Sequence, residues 1–134
     1  MGTFGFGNFQ NDSGMDFEDD FKEMPTSSTV ILASLSIVRT IEAKGDIEYH
    51  EACMALAAAE VMAASLGKPS ADFPAEFHPL IANLILNKDI YTRNMARKAV
   101  KHILDKSELP ELWAEGDEMK DWQMVQQDLL TRLK

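Results

Sequence analysis

Apolar residues recur at helical spacing along most of the chain. The clearest case is residues 50–66, where strong helix formers run without interruption up to Gly67 and predict a helix that ends at that glycine. Residues 30–41 are apolar nearly all the way round, which predicts a central helix, although their many Val and Ile residues leave a strand as the rival interpretation. A proline in the first turn predicts a shorter apolar helix over residues 79–86.

Two later segments each carry one apolar stripe and predict amphipathic helices. The stripe of residues 89–106 is expected to be buried and consists of Ala96, Ala99, Val100, Ile103 and Leu104. Basic side chains are expected to face away from it, namely Arg97, Lys98 and Lys101. The last helix has a stripe with members three or four residues apart, namely Met119, Trp122, Val125 or Gln126, Leu129 and Leu133. Shorter helices are predicted over residues 13–23 and after Ser107.

Large aromatic side chains alternate with glycines at the start of the chain. Phe4, Phe6 and Phe9 need burial, so residues 1–11 are predicted to fold back as an anchoring segment, with Asp12 as a helix N-cap. The helical body then covers residues 12–134. The fold class predicted for residues 1–134 is all-α, a single compact domain of six or seven helices with this glycine- and phenylalanine-rich segment packed on the core.

Composition narrows the classes of function. The chain has 134 residues, 46% of them hydrophobic, and a formal net charge of −9. This charge argues against binding nucleic acid or an anionic membrane, and it favours a basic protein partner. No export signal or membrane-spanning run is visible, so the expected location is the cytoplasm. The oligomeric state is left open.

Charge is distributed unevenly along the chain. Residues 68–106 hold seven basic and four acidic side chains, whereas residues 1–25 hold one basic and six acidic side chains. The simplest interpretation is a solvated basic face that the acidic ends of the chain partly neutralise. A docking surface for an acidic partner is the alternative.

No motif for a cofactor or a metal ion is complete. Gly5 and Gly7 begin like a dinucleotide fingerprint, but Gln10 stands where the third glycine belongs. His50 and Cys53 share a helix face, yet a structural metal ion needs three or four ligands. No cofactor, metal ligand or catalytic residue is therefore expected, and Cys53 is interpreted as a buried structural thiol.

Glu60 is the one unusual residue, because it interrupts an alanine-rich apolar helix. A carboxylate is costly to bury unless it is hydrogen-bonded or paired with a cation. We expect Glu60 either to accept hydrogen bonds from the anchoring segment or to pair with Arg39. A glutamate that reaches solvent at the rim is the other interpretation.

The opening motif Met-Gly-x-Phe-Gly-x-Gly-x-Phe-x-Asn-Asp resembles the start of a family of small, mostly bacterial proteins classed as a domain of unknown function, which usually have Trp at position 4. The resemblance continues through residues 57–64, 70–74 and 111–116, and then Trp122. It implies an α-helical cytoplasmic protein and no particular reaction. It marks seven signature positions of unassigned role: Gly5, Gly7, Phe9, Asn11, Asp12, Glu60 and Trp113.

Two classes of function follow. The first is a non-enzymatic interaction or regulatory module, including an immunity-like protein that neutralises a basic toxin. The second is a small-ligand binder or an enzyme that uses Glu60 beside the anchoring segment. A deep pocket holding Glu60 and a second titratable group would favour the second class.

Overall fold

The computed structural model describes residues 7, 8, 49–71, 73, 75, 90–106 and 119–134. Within these residues the fold is helical and contains no strand. The three helices are α1 (Tyr49–Ser65), α2 (Ile90–Lys106) and α3 (Met119–Arg132). They match the helices predicted over residues 50–66, over residues 89–106 and at the C-terminal end. The other predicted helices lie outside the described residues, as does most of the anchoring segment.

The three described helices all pack against one another, and α1 is the one whose surface is buried almost all the way round. Every side chain from Ala52 to Ala64 is buried except that of Met54, which is half-buried. Alanine fills most of these positions, and a short side chain lets a neighbouring helix approach closely. The all-round apolar surface therefore requires α1 to be covered on all sides, which makes it the helix on which the others pack.

The C-terminal end of α1 is closed by a Schellman motif. Gly67 has φ of 84°, a left-handed conformation that favours glycine. Its N–H donates to the carbonyl of Ala64 at 2.9 Å, and the N–H of Lys68 donates to the carbonyl of Ala63 at 3.0 Å. The predicted helix end at Gly67 is confirmed. The turn at Gly67 also places the Lys68 carbonyl within hydrogen-bonding distance of Arg132 at the end of α3.

Helices α2 and α3 bury most of the predicted stripes, but Leu104 and Met119 are only half-buried at the edge of the core. The sequence left open whether Val125 or Gln126 belongs to the buried stripe of α3. Gln126 belongs to it, because it is fully buried, while Val125 is only half-buried.

On α2 Lys98 and Lys101 are exposed as expected. The prediction that Arg97 faces away is wrong in part, because Arg97 is half-buried and its Nε atom is inaccessible to solvent. It lies at the edge of the stripe, where a long side chain can lie along apolar surface.

Candidate functional site

Glu60 lies in the apolar part of α1, and only 1% of it is exposed. Its neighbours in the chain, Ala59 and Val61, are fully buried. The interpretation as a rim glutamate that reaches solvent is therefore wrong. A carboxylate at such a position destabilises the folded state unless charged and polar partners compensate for the water it loses.

Arg132 supplies that compensation from the last residue of α3. Its Nη2 donates to Oε1 of Glu60 at 2.9 Å, and its Nη1 donates to Oε2 at 3.2 Å. The planar guanidinium thus holds both carboxylate oxygens, an arrangement stronger and more directional than a single contact. The side chain of Arg132 is 12% exposed, so this ion pair is largely shielded from water. Arg39, the cation considered from the sequence, lies outside the described residues.

Two further acceptors hold the Arg132 guanidinium in place. Nε donates to Oδ2 of Asp128 at 2.7 Å, one helical turn earlier, and Nη1 also donates to the Lys68 carbonyl at 3.2 Å. Burial by itself lowers the pKa of Arg132, but the hydrogen bonds and charge attraction to Glu60, aided by Asp128, outweigh it and leave the pKa raised. Arg132 therefore stays charged throughout the neutral pH range.

Asn8 completes the arrangement from the anchoring segment. Its Nδ2 donates to Oε1 of Glu60 at 3.1 Å and to Oε1 of Gln126 at 3.1 Å. In return, Nε2 of Gln126 donates to Oδ1 of Asn8 at 2.7 Å. Both amides are buried, with 4% of Asn8 and none of Gln126 exposed. Glu60, Arg132, Asn8 and Gln126 form what we call the Glu60 network.

The Glu60 network joins three parts of the chain that are distant in sequence. Asn8 and Glu60 are separated by 52 positions, and Glu60 and Arg132 by 72. Both oxygens of the carboxylate accept hydrogen bonds from the protein, and one cation neutralises it. A general base instead needs a lone pair directed at its substrate. The arrangement thus joins Asn8, α1 and α3 through hydrogen bonds and one ion pair, which is the chemistry of a structural contact.

The structure places only some of the signature residues. Glu60 is in the network, and Gly7 is buried next to Asn8. The remaining signature positions lie outside the described residues: Gly5, Phe9, Asn11, Asp12 and Trp113. Sequence reasoning missed Asn8, Gln126 and Arg132 as partners. Gln126 carried a usable signal, since it is a polar residue at a position in the buried stripe of α3.

Among the described residues, no group of His, Cys, Asp and Glu side chains is arranged to hold a metal ion. Cys53 is 2% exposed on α1. In the same part of the chain, no helix combines the length and the apolar character needed to cross a membrane.

The described residues form a helical protein with a carboxylate buried in its apolar core. An arginine neutralises this carboxylate, and its contacts link segments that are distant in sequence. The chain belongs to the family described as "Domain of unknown function (DUF4259)", whose profile matches residues 2–125. The expected resemblance to a family of unknown function is confirmed at that level. No curated protein and no solved structure gives a significant match.

Replacing Asn8 with alanine is expected to lower the free energy of unfolding by about 2 kcal/mol, because it removes three buried hydrogen bonds and leaves the Gln126 amide without its partner. Urea unfolding measures the loss. Gln127→Ala is the matched control, since Gln127 is exposed beside Gln126, and its effect should stay within about 0.5 kcal/mol. Equal effects for the two variants would show that the Asn8 contacts contribute nothing.

Proposed function

We propose that this protein is a non-enzymatic interaction module that binds a basic protein partner through the solvent face of α3. The observation that carries the proposal is Met124, which is 61% exposed and is the exposed large hydrophobic residue among those described. Asp121 lies about one turn before it and Asp128 about one turn after it, and both are exposed. We call Asp121, Met124 and Asp128 the Met124 face.

Both carboxylates are exposed, although Asp128 is also paired with Arg132, and an exposed methionine between them suits a partner with a basic rim around an apolar pocket. A flexible thioether side chain adapts to the shape of such a pocket, and burial of an apolar anchor inside a polar rim gives most interfaces their affinity. The charge complementarity is favourable at longer range as well, because the whole chain has a net charge of −9. Attraction of this kind speeds encounter with a cationic protein and weakens as salt is added.

The Glu60 network supports this proposal over the ligand or enzyme alternative. In that alternative the Glu60 carboxylate would act in ligand binding or catalysis. Instead it is hydrogen-bonded to Arg132 and Asn8, and these contacts account for its burial. The same contacts join the C-terminal turn of α3, the helix that carries the Met124 face, to α1. Neutralisation of a basic toxin in the bacterial cytoplasm is one form that such a module takes.

The test is an affinity capture from bacterial cytoplasm with wild-type protein, Met124→Gln and the control Asn94→Ala, which changes an exposed residue on α2. Wild type and Asn94→Ala are expected to retain the same basic protein at low salt and to lose it at high salt. Met124→Gln should weaken its binding at least about tenfold when the purified pair is titrated. Retention unaffected by both salt and Met124→Gln, or a retained partner that is acidic, would contradict the proposal.

A further inference from the structure

Met124 differs from the other methionines that the structure describes. It is 61% exposed, whereas Met62 is fully buried and Met54, Met95 and Met119 are half-buried against the core. An oxidant dissolved in water reaches a thioether only where the side chain is exposed. Among these side chains, Met124 is therefore the one most open to oxidation.

The surroundings of Met124 on α3 do not shield its thioether. The side chains one turn away from it on this helix are all polar and exposed, namely Lys120, Asp121, Gln127 and Asp128. The competing thiol is shielded, because Cys53 is the single cysteine of the chain and is buried on α1. A mild oxidant thus meets the Met124 thioether before any other sulfur atom of the described residues.

We propose that Met124 is a site of reversible oxidation by hydrogen peroxide, and that formation of the sulfoxide releases the basic partner from the Met124 face. The first half depends only on the exposure of the side chain. The second half rests on the proposed function, because the face must bind a partner before oxidation can release it. The modification converts the apolar anchor of the face into a polar group and leaves its two carboxylates unchanged.

The oxidation is a two-electron transfer of one oxygen atom. The sulfur of Met124 donates an electron pair to one peroxide oxygen, a sulfur–oxygen bond forms, and the oxygen–oxygen bond breaks. The proton of the transferred oxygen passes to the departing one, which leaves as water. In the reverse step two thiols of a sulfoxide reductase supply two electrons, become a disulfide, and release the oxygen as water.

The sulfoxide differs from the thioether in its need for hydrogen bonds. Its oxygen is a strong acceptor, and burying it in an apolar pocket without a donor disfavours the complex. In the free protein the same group stays hydrated at an exposed position, so the fold is unaffected. Asp121 and Asp128 keep their charges, so the attraction that speeds encounter persists and the loss of affinity arises from faster dissociation.

Peptide mapping by mass spectrometry tests the first half. Native wild type is treated with dilute hydrogen peroxide, and Met124 is expected to form sulfoxide at least about fivefold faster than Met54, Met95 and Met119. The same treatment in concentrated urea is the control, because unfolding exposes every methionine and should bring the rates within about twofold of one another. A difference below about twofold in the native protein would overturn the proposal.

Titration tests the second half, and its probe is the purified basic protein that untreated wild type retains at low salt. Peroxide-treated wild type should bind it at least about tenfold more weakly, and reduction by methionine sulfoxide reductases with dithiothreitol should restore the affinity to within about twofold. Met124→Leu is the matched control, since it keeps an apolar side chain and every other methionine. Whatever its own affinity, peroxide should change it by less than about twofold.

The outcomes separate this inference from the proposed function. If untreated wild type retains no basic protein, the proposed function fails and the release by oxidation fails with it. If the untreated protein binds and the sulfoxide form binds equally well, only the present inference is overturned. An equal loss in peroxide-treated Met124→Leu, or a lower urea midpoint for oxidised wild type, would assign the effect to another methionine or to the fold and would also overturn it.

Discussion

Replacing Glu60 with alanine is expected to lower the free energy of unfolding by about 3 kcal/mol. The loss arises because the variant leaves Arg132, whose side chain is 12% exposed, as a poorly hydrated cation without its bidentate partner. Asn8 loses an acceptor as well, and truncation of a side chain that is only 1% exposed leaves a cavity. Each of these effects adds to the same loss.

Urea unfolding at neutral pH measures this effect. Asp121→Ala is the matched control, because it removes the same charge from an exposed position on α3; it lies in the first turn of that helix, so its loss should be at most about 1 kcal/mol. Glu60→Gln fills the same volume without the charge, so its loss should approach that of the alanine variant. If Glu60→Ala costs less than about 0.5 kcal/mol, the carboxylate is not a structural tie.

Replacing Arg132 with glutamine is expected to cost about 3 kcal/mol at neutral pH, because Glu60 then remains buried at 1% exposure without its cation. Arg132→Lys keeps the charge but loses the two-pronged contact with both carboxylate oxygens, so its loss should be smaller. Asp128→Asn is the control for the other ion pair. That pair is more exposed, and its removal should cost at most about 1 kcal/mol.

The raised pKa of Arg132 determines how this residue's contribution to stability changes with pH. A group with a folded-state pKa above its unfolded value stabilises the fold fully below the unfolded pKa and loses that contribution as the pH rises through the folded one. For Arg132 this window lies at strongly alkaline pH. The difference in stability between wild type and Arg132→Gln should therefore stay constant from about pH 7 to about pH 10. A difference that shrinks across that range would contradict the role of the Arg132 charge.

The three described helices could be predicted from local pattern alone. Gly67 marked the end of α1, and three- and four-residue spacing marked the buried stripes of α2 and α3. Such signals depend on residues within a few positions of each other, which is why they can be read from one sequence. Glu60 could be singled out for a related reason, since a charged residue in an apolar helix breaks the local pattern.

The partners of Glu60 could not be predicted in the same way. Arg132 is 72 positions away, and nothing near it in the chain distinguishes it from an ordinary basic residue at a helix end. The half-burial of Arg97 was missed because this residue lies at the boundary of a stripe, where the path of a long side chain depends on the packing around it. The partners and the burial of these side chains depend on contacts between segments that are distant in sequence, rather than on helical propensity.

The central claim is that Glu60 and Arg132 stabilise the fold as one unit, and a double-mutant cycle tests it most directly. The free energies of unfolding of wild type, Glu60→Gln, Arg132→Gln and the double variant are measured in urea. We predict that the double variant loses less stability than the sum of the two single losses, by at least about 1.5 kcal/mol. Each single substitution leaves the other side chain buried without its partner, and the second substitution removes that unpaired group. Single losses that add to within about 0.5 kcal/mol would contradict the claim.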